Sequence, residues 1–144
     1  MEINPLSFPL SNIKSVKNIF NKKLIPIFIG LVLIIAASLM LNSSLQESAV
    51  MDELAHIPAG YSYLKFGDNR LNPEHPPLLK DLSAIPLIFL NLNFPIESSY
   101  WQQYINGQWD VGRVFLYESG NNADQIIQLA RIFPIILTLL TAFL

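Results

Sequence analysis

The chain contains no cysteine in its 144 residues. Disulfides, thiol nucleophiles and cysteine-ligated zinc are therefore excluded. Charge is also scarce. Only 14% of the residues are charged, whereas 51% are hydrophobic. That balance is too apolar for an ordinary soluble domain and places the chain in the membrane class. Histidine occurs only at His56 and His75, so any imidazole chemistry rests on those two rings. A formal net charge of −2 and long apolar runs exclude a nucleic-acid partner.

The few charges are unevenly placed. Residues 1–23 carry Lys14, Lys17, Lys22 and Lys23 against Glu2, a net of +3. Residues 42–128 carry four cations and ten anions, a net of −6. Between them, Leu24 to Leu41 reads LIPIFIGLVLIIAASLML, without a charge. About 20 such residues span a hydrocarbon core. Pro26 falls in the first turn, where a missing N–H costs nothing. The lysine-rich flank predicts a cytoplasmic N-terminus and an extracytoplasmic exit. A cleaved signal peptide is the rival reading, since Ala36-Ala37-Ser38 is weakly cleavage-like. The run is too long for a typical signal core, and a second apolar segment follows.

That segment, Ile126 to Leu144, reads IIQLARIFPIILTLLTAFL, with Arg131 near its outer end. It reads as the start of a second, truncated transmembrane helix. The expected fold class is an all-α, polytopic membrane protein. Its parts are a cytoplasmic basic tail (1–23), transmembrane helix 1 (24–41), an extracytoplasmic loop (42–125) and the start of transmembrane helix 2 (126–144). A chain stopping inside an apolar helix reads as a fragment of a larger polytopic protein or a truncated product, and such a fragment is expected to be inactive alone.

Within the loop, juxtamembrane helices are expected near 48–66 and 77–90. In the first, Val50, Leu54, Ile57, Tyr61 and Leu64 recur at helical spacing. Asp52, His56 and Tyr63 fall on another face. This helix is expected to lie along the interface, apolar face down. Pro58 predicts a kink and a freed carbonyl, and Gly67 an end. Pro76-Pro77 predicts the start of the second helix. Tyr100, Trp101, Tyr104, Trp109, Phe115 and Tyr117 are expected in the headgroup layer. Asn106-Gly107 marks a turn, and Asn121-Asn122 a helix cap.

The chemistry concentrates between Met51 and Lys80. Four of the eleven acidic residues and both histidines lie there, with Asp81 next in line. Each alone has a plain structural reading. Asp52 and Glu53 suit a helix start, and His56 four residues after Asp52 suits a side-chain pair on one helix face. Together they form an ionisable loop directly outside a membrane run.

The order Asp52-Glu53, then G-D-x-R ending at Arg70, then N-P-E-H-P-P-L-x-K from Asn72 to Lys80, resembles a known family. It is similar to the start of the glycosyltransferases of the C-type (GT-C) fold that use lipid-linked sugars. These include the protein O-mannosyltransferases and the aminoarabinose transferases of lipid A, as in glycosyltransferase family 39. The resemblance covers residues 24–144. It implies a polytopic enzyme that takes a sugar from a polyprenyl or dolichyl phosphate carrier and passes it to a hydroxyl acceptor on the extracytoplasmic side. By position, Asp52 would be the general base, with Glu53 beside it. Glu74 would lie near the donor phosphate and, in some members, a divalent metal ion, the one cofactor implied; His56 is a weaker metal candidate. Many members carry lysine where this chain has His75. Arg70 and Lys80 are the further cations available to the phosphate, and the planar fork of Arg70 suits it best.

The chemistry agrees with these residue types. A carboxylate can take the proton of a weakly nucleophilic hydroxyl, and cations can hold a departing phosphate. The alternative is a non-enzymatic membrane subunit or inactive remnant whose acidic loop binds a partner or a divalent cation. A transporter fragment is a third reading, disfavoured because neither apolar helix carries a charge at its centre.

Overall fold

A computed structural model describes residues 24–144. The basic tail (1–23), with its expected cytoplasmic placement, lies outside the described residues. Among the described residues all regular structure is helical. The order is α1 (Leu24–Gln46), α2 (Met51–Phe66), α3 (Pro77–Ala84) running into a 3₁₀ turn (Ile85–Phe89), α4 (Ser99–Gln102), α5 (Gln108–Arg113) running into a π-type turn (Val114–Glu118), and α6 (Ala123–Phe143).

Two helices, α1 and α6, are long and apolar enough to cross a membrane, with mean hydropathies of 2.8 and 2.0. They pack against each other. No residue of α1 is buried by protein. Phe28 and Ile27, for instance, stay about two-thirds exposed. Each such side chain would gain about 1.5–3 kcal/mol by leaving water, and a bilayer supplies that environment. The helix α1 runs five residues past the apolar stretch, to Gln46. Polar side chains extend it: Gln46 Nε2 donates to Asn42 Oδ1 (2.9 Å), and Ser43 Oγ donates to Glu47 Oε1 (2.8 Å).

The start of α2 is fixed by Glu53, whose Oε2 accepts the Val50 N–H at 2.9 Å. Its end is fixed by Gly67 at φ +65°, whose N–H donates to Tyr63 O (3.1 Å). The expected single apolar stripe is not what α2 shows. Val50 and Leu64 are exposed, while every residue from Ile57 to Ser62 is buried. The helix is a central core element enclosed by α3, α5 and α6. Small residues permit this. A Cβ on Gly60 would stand 2.1 Å from Lys80 O in α3, and one on Gly112 would stand 1.8 Å from Leu54 O. Leu54 is four residues before Pro58, so its carbonyl is the one that lacks a helical N–H partner. The backbone of α5 backs onto that freed carbonyl.

The core joins Ile57 and Tyr61 of α2 to Leu87, Phe115, Leu116 and Ile126. Phe94 links this cluster to a second one around Leu71, Trp101 and Val111, stacking on Tyr61 at 5.8 Å and meeting Trp101 edge-on at 5.1 Å. Trp101 and Phe115 are therefore core residues and not headgroup-layer aromatics, because the loop folds back on itself. Tyr104, Trp109 and Tyr117 stay exposed. Pro77 opens α3. Pro86, which has no N–H for the helical ladder, coincides with the tightening to 3₁₀. Asn122 caps α6, its Oδ1 accepting the Gln125 N–H at 3.1 Å.

Candidate functional site

The segment 67–76 joins α2 to α3 and carries prolines at positions 73 and 76, directly before Pro77. Its carbonyls meet few backbone donors, so side chains hold it. Lys80, on the first turns of α3, curls back into the turn. Its Nζ donates to Asn72 O (2.7 Å), His75 O (2.8 Å), Asn72 Oδ1 (3.1 Å) and Tyr63 Oη (3.0 Å). The residue is 3% exposed. Burial pushes its ammonium below the ordinary lysine value, against the raising effect of Glu74 and Asp81. Tyr63 Oη in turn donates to Leu71 O. All three N–H groups of Lys80 are thus spent inside the protein, and the expected phosphate cation is seen as a brace for the turn. Lys80→Met should cost about 2–3 kcal/mol, since charged donors carry the larger hydrogen-bond energies. Thermal unfolding and faster amide exchange at residues 71–76 would report it.

Asn72 adopts φ +51° at the head of the turn. Its N–H donates to Asn106 Oδ1 (2.9 Å), and its Nδ2 donates to Gln108 Oε1. Gln108 Nε2 donates to Glu74 Oε1 (3.1 Å), and Asn106 Nδ2 to Glu74 Oε2 (3.3 Å). The Asn106-Gly107 turn therefore positions Glu74. Its own backbone N–H, then the Gln108 and Asn106 amides, hold its carboxyl below the usual range.

Arg70 is engaged elsewhere. Its Nη2 pairs with Asp68 Oδ2 at 2.7 Å, its Nη1 donates to Trp101 O (2.9 Å), and its guanidinium lies 4.4 Å over the Trp101 ring. The hydrogen bond from Arg70 holds the Asp68 carboxyl below its ordinary value. Asp68 and Arg70 line a shallow pocket beside Gln102 and Tyr104.

A cavity of about 520 Å³ opens between α2, α3 and α6, where Glu53, His56, His75, Leu78, Leu79 and Arg131 contribute to its lining. The ring centroids of His56 and His75 are 5.3 Å apart at an interplanar angle of 70°. Asp52 is exposed, one helical turn before His56, near enough for its charge to act on that imidazole. Glu53 points the other way, into a bidentate pair with Arg131 of α6, both contacts at 2.7 Å.

The structure therefore divides the expected set. Glu53, His56, His75 and the stem of Lys80 meet at one cavity. Asp52 stands in solvent beside it, Glu74 sits among the amides of Asn106 and Gln108, and Arg70 lies on a different pocket. Among the described residues no three His, Asp or Glu side chains gather as a cation site. Glu74 is occupied by amide donors, and the two histidines have no third ligand beside them.

The role of Arg131 was not foreseen. A lone cation in an apolar helix needs a partner, and that signal could have pointed to Glu53. Asn72, Tyr63 and Gln108 carry no sequence signal for their parts in the turn.

Burial, then the neighbouring His75, push His56 below its ordinary value of 6.5. The folded state thus disfavours the protonated ring. The stability due to neutral His56 is fully present above about pH 6.5 and is lost as pH falls through the depressed folded value. The unfolding midpoint should therefore drop on acidification from about pH 7.5 to 5. His56→Gln should flatten that drop. Glu74 and Asp68, also depressed, act only below about pH 4.5, where carboxylates begin to protonate.

Comparisons with protein-family models, curated proteins and solved structures found no match to this chain.

Proposed function

We propose that this chain carries the transfer site of a membrane glycosyltransferase. The sugar comes from a polyprenyl or dolichyl phosphate carrier and goes to a hydroxyl acceptor outside the cytoplasm. The observation that carries the reading is the cavity of about 520 Å³ beside the membrane-length helix α6, with two histidines and two leucines in its wall. Such a lining suits a phosphate-linked headgroup whose chain stays in apolar surroundings.

In this reading Asp52 takes the acceptor proton as the acceptor oxygen attacks the anomeric carbon, and the carrier phosphate leaves with the bonding electrons. Asp52 is free to do so, being exposed at the mouth of the loop. Glu53 is held by Arg131 and positions α2. His75, facing the cavity, is placed to donate a ring N–H hydrogen bond to the departing phosphate. Glu74 and Lys80 keep the turn that presents His75 in place. The test is sugar transfer from a polyprenyl-phosphate donor by the wild-type protein and by Asp52→Asn. Ordinary transfer by the variant removes the reading.

A further inference from the structure

Of all the asparagines in the chain, only Asn106 stands before a glycine. The structure ties both residues of that pair to their places. A Cβ at position 107 would stand 2.5 Å from Tyr100 O, so the site requires glycine. Asn106 sits at φ +100°, on a side of the backbone map that asparagine enters more readily than most residues. Its amide bridges the turn before α3. Oδ1 accepts the Asn72 N–H at 2.9 Å, and Nδ2 donates to Glu74 Oε2 at 3.3 Å. A backbone N–H can only donate, so the Asn72 contact fixes which end of the amide is oxygen.

An asparagine before a glycine is chemically labile. The backbone nitrogen of the next residue can attack the side-chain carbonyl and close a five-membered imide, and glycine has no Cβ to obstruct the approach. Three features favour that closure at Asn106. The residue is exposed, so water reaches it. The Gly107 N–H, at the start of α5, meets no acceptor among the described residues, which leaves its proton open to removal by solvent. The Asn72 N–H points at Oδ1, the oxygen on which negative charge grows during the attack. A fixed donor in that position lowers the barrier to acyl transfer.

We propose that Asn106 is a self-modification site, where the fold favours deamidation and the product releases Glu74. The Gly107 nitrogen gives up its proton and bonds to Asn106 Cγ. The Cγ–Nδ2 bond breaks, and Nδ2 leaves as ammonia with the proton that Gly107 gave up. Water then opens the imide at either carbonyl, to aspartate or isoaspartate, with no change of oxidation state. The new carboxylate still accepts the Asn72 N–H, but the donor that faced Glu74 Oε2 has become an anion. Isoaspartate also lengthens the main chain just before Gln108, the other side chain that donates to Glu74. Either product loosens residues 71–76, and with them His75 in the cavity wall. The inference does not rest on the transfer reading.

The test incubates the full chain in nanodiscs in mildly alkaline buffer and follows every asparagine by peptide mass mapping. Asn106 should deamidate about tenfold faster than any other asparagine. It should also react no more slowly than in the chain unfolded in urea at the same pH. A slower rate in the folded chain would mean that the fold shields the amide, and overturns the proposal. Modification of Asn106 at the pace of the other asparagines does the same. Asn106→Asp, which installs the product directly, should speed amide exchange at residues 71–76 about tenfold. Adding Glu74→Gln, whose amide can donate to the new carboxylate, should bring that exchange back toward wild type. Unchanged exchange in Asn106→Asp, or equally fast exchange in the double variant, overturns the release of Glu74. The aged wild-type chain, which folds before it is modified, supplies the same exchange measurement where Asn106→Asp does not fold.

Discussion

Asp52→Asn is expected to lower sugar transfer by about 10²–10⁴-fold, the usual contribution of a positioned base. The substitution keeps the shape of the side chain and removes its capacity to accept a proton. Its structural cost should be small. Asp52 is exposed in the first turn of α2, and among the described residues its carboxylate makes no hydrogen bond. What is lost to the fold is a helix-dipole interaction of about 0.3–1 kcal/mol. Expression and unfolding midpoint should therefore stay near wild type while initial rates collapse. Glu53→Gln should behave differently, because Glu53 is tied to Arg131 and to the Val50 N–H. Similar rate losses in both variants with similar loss of stability would mean that Asp52 acts through the fold and is not the base.

Gly112→Ala is expected to displace α5 from α2. The added methyl would lie 1.8 Å from Leu54 O and 2.7 Å from Leu54 C, both backbone atoms. Neither can swing aside as the tip of a long side chain would. Overpacking a dense interior costs about 1–3 kcal/mol, and a rigid backbone neighbour puts this site at the upper end. The effect should reach the site, because α5 carries Gln108, which donates to Glu74 and accepts from Asn72. The expected result is a lower unfolding midpoint with faster proteolysis near residues 103–107. Gly30→Ala in α1 is the control, as nothing lies within 4 Å of its added methyl. A Gly112→Ala protein as stable as wild type would contradict the close packing of α5 on α2.

How much of this could be read from the sequence depends on whether the cause is local. Gly67 as a helix stop, Pro77 as a helix start and Asn122 as a cap each act within a few residues, and each is found in place. The two apolar runs likewise declare themselves by composition, as α1 and α6. The enclosed centre of α2 did not. Ala55, Ala59, Gly60 and Ser62 make no apolar stripe, and the burial of this stretch depends on α3, which backs onto Gly60, and on α5, which lies far along the chain. The site was legible as a set of residues but not as an arrangement. Lys80 was visible as a cation after a run of prolines. That its ammonium would serve carbonyls left without backbone donors is a tertiary fact. Arg70 was visible as a fork suited to phosphate, yet Trp101, thirty-one residues on, claims it.

The central claim is a lipid-phosphate sugar donor used beside the membrane. Its most direct measurement compares two donors, a polyprenyl-phosphate sugar and a nucleotide sugar, offered to the full-length protein in proteoliposomes with a labelled sugar and a hydroxyl acceptor. The account predicts labelled acceptor from the polyprenyl-phosphate donor and none from the nucleotide sugar. Transfer from the nucleotide sugar, or no transfer from either donor by folded protein, would contradict it.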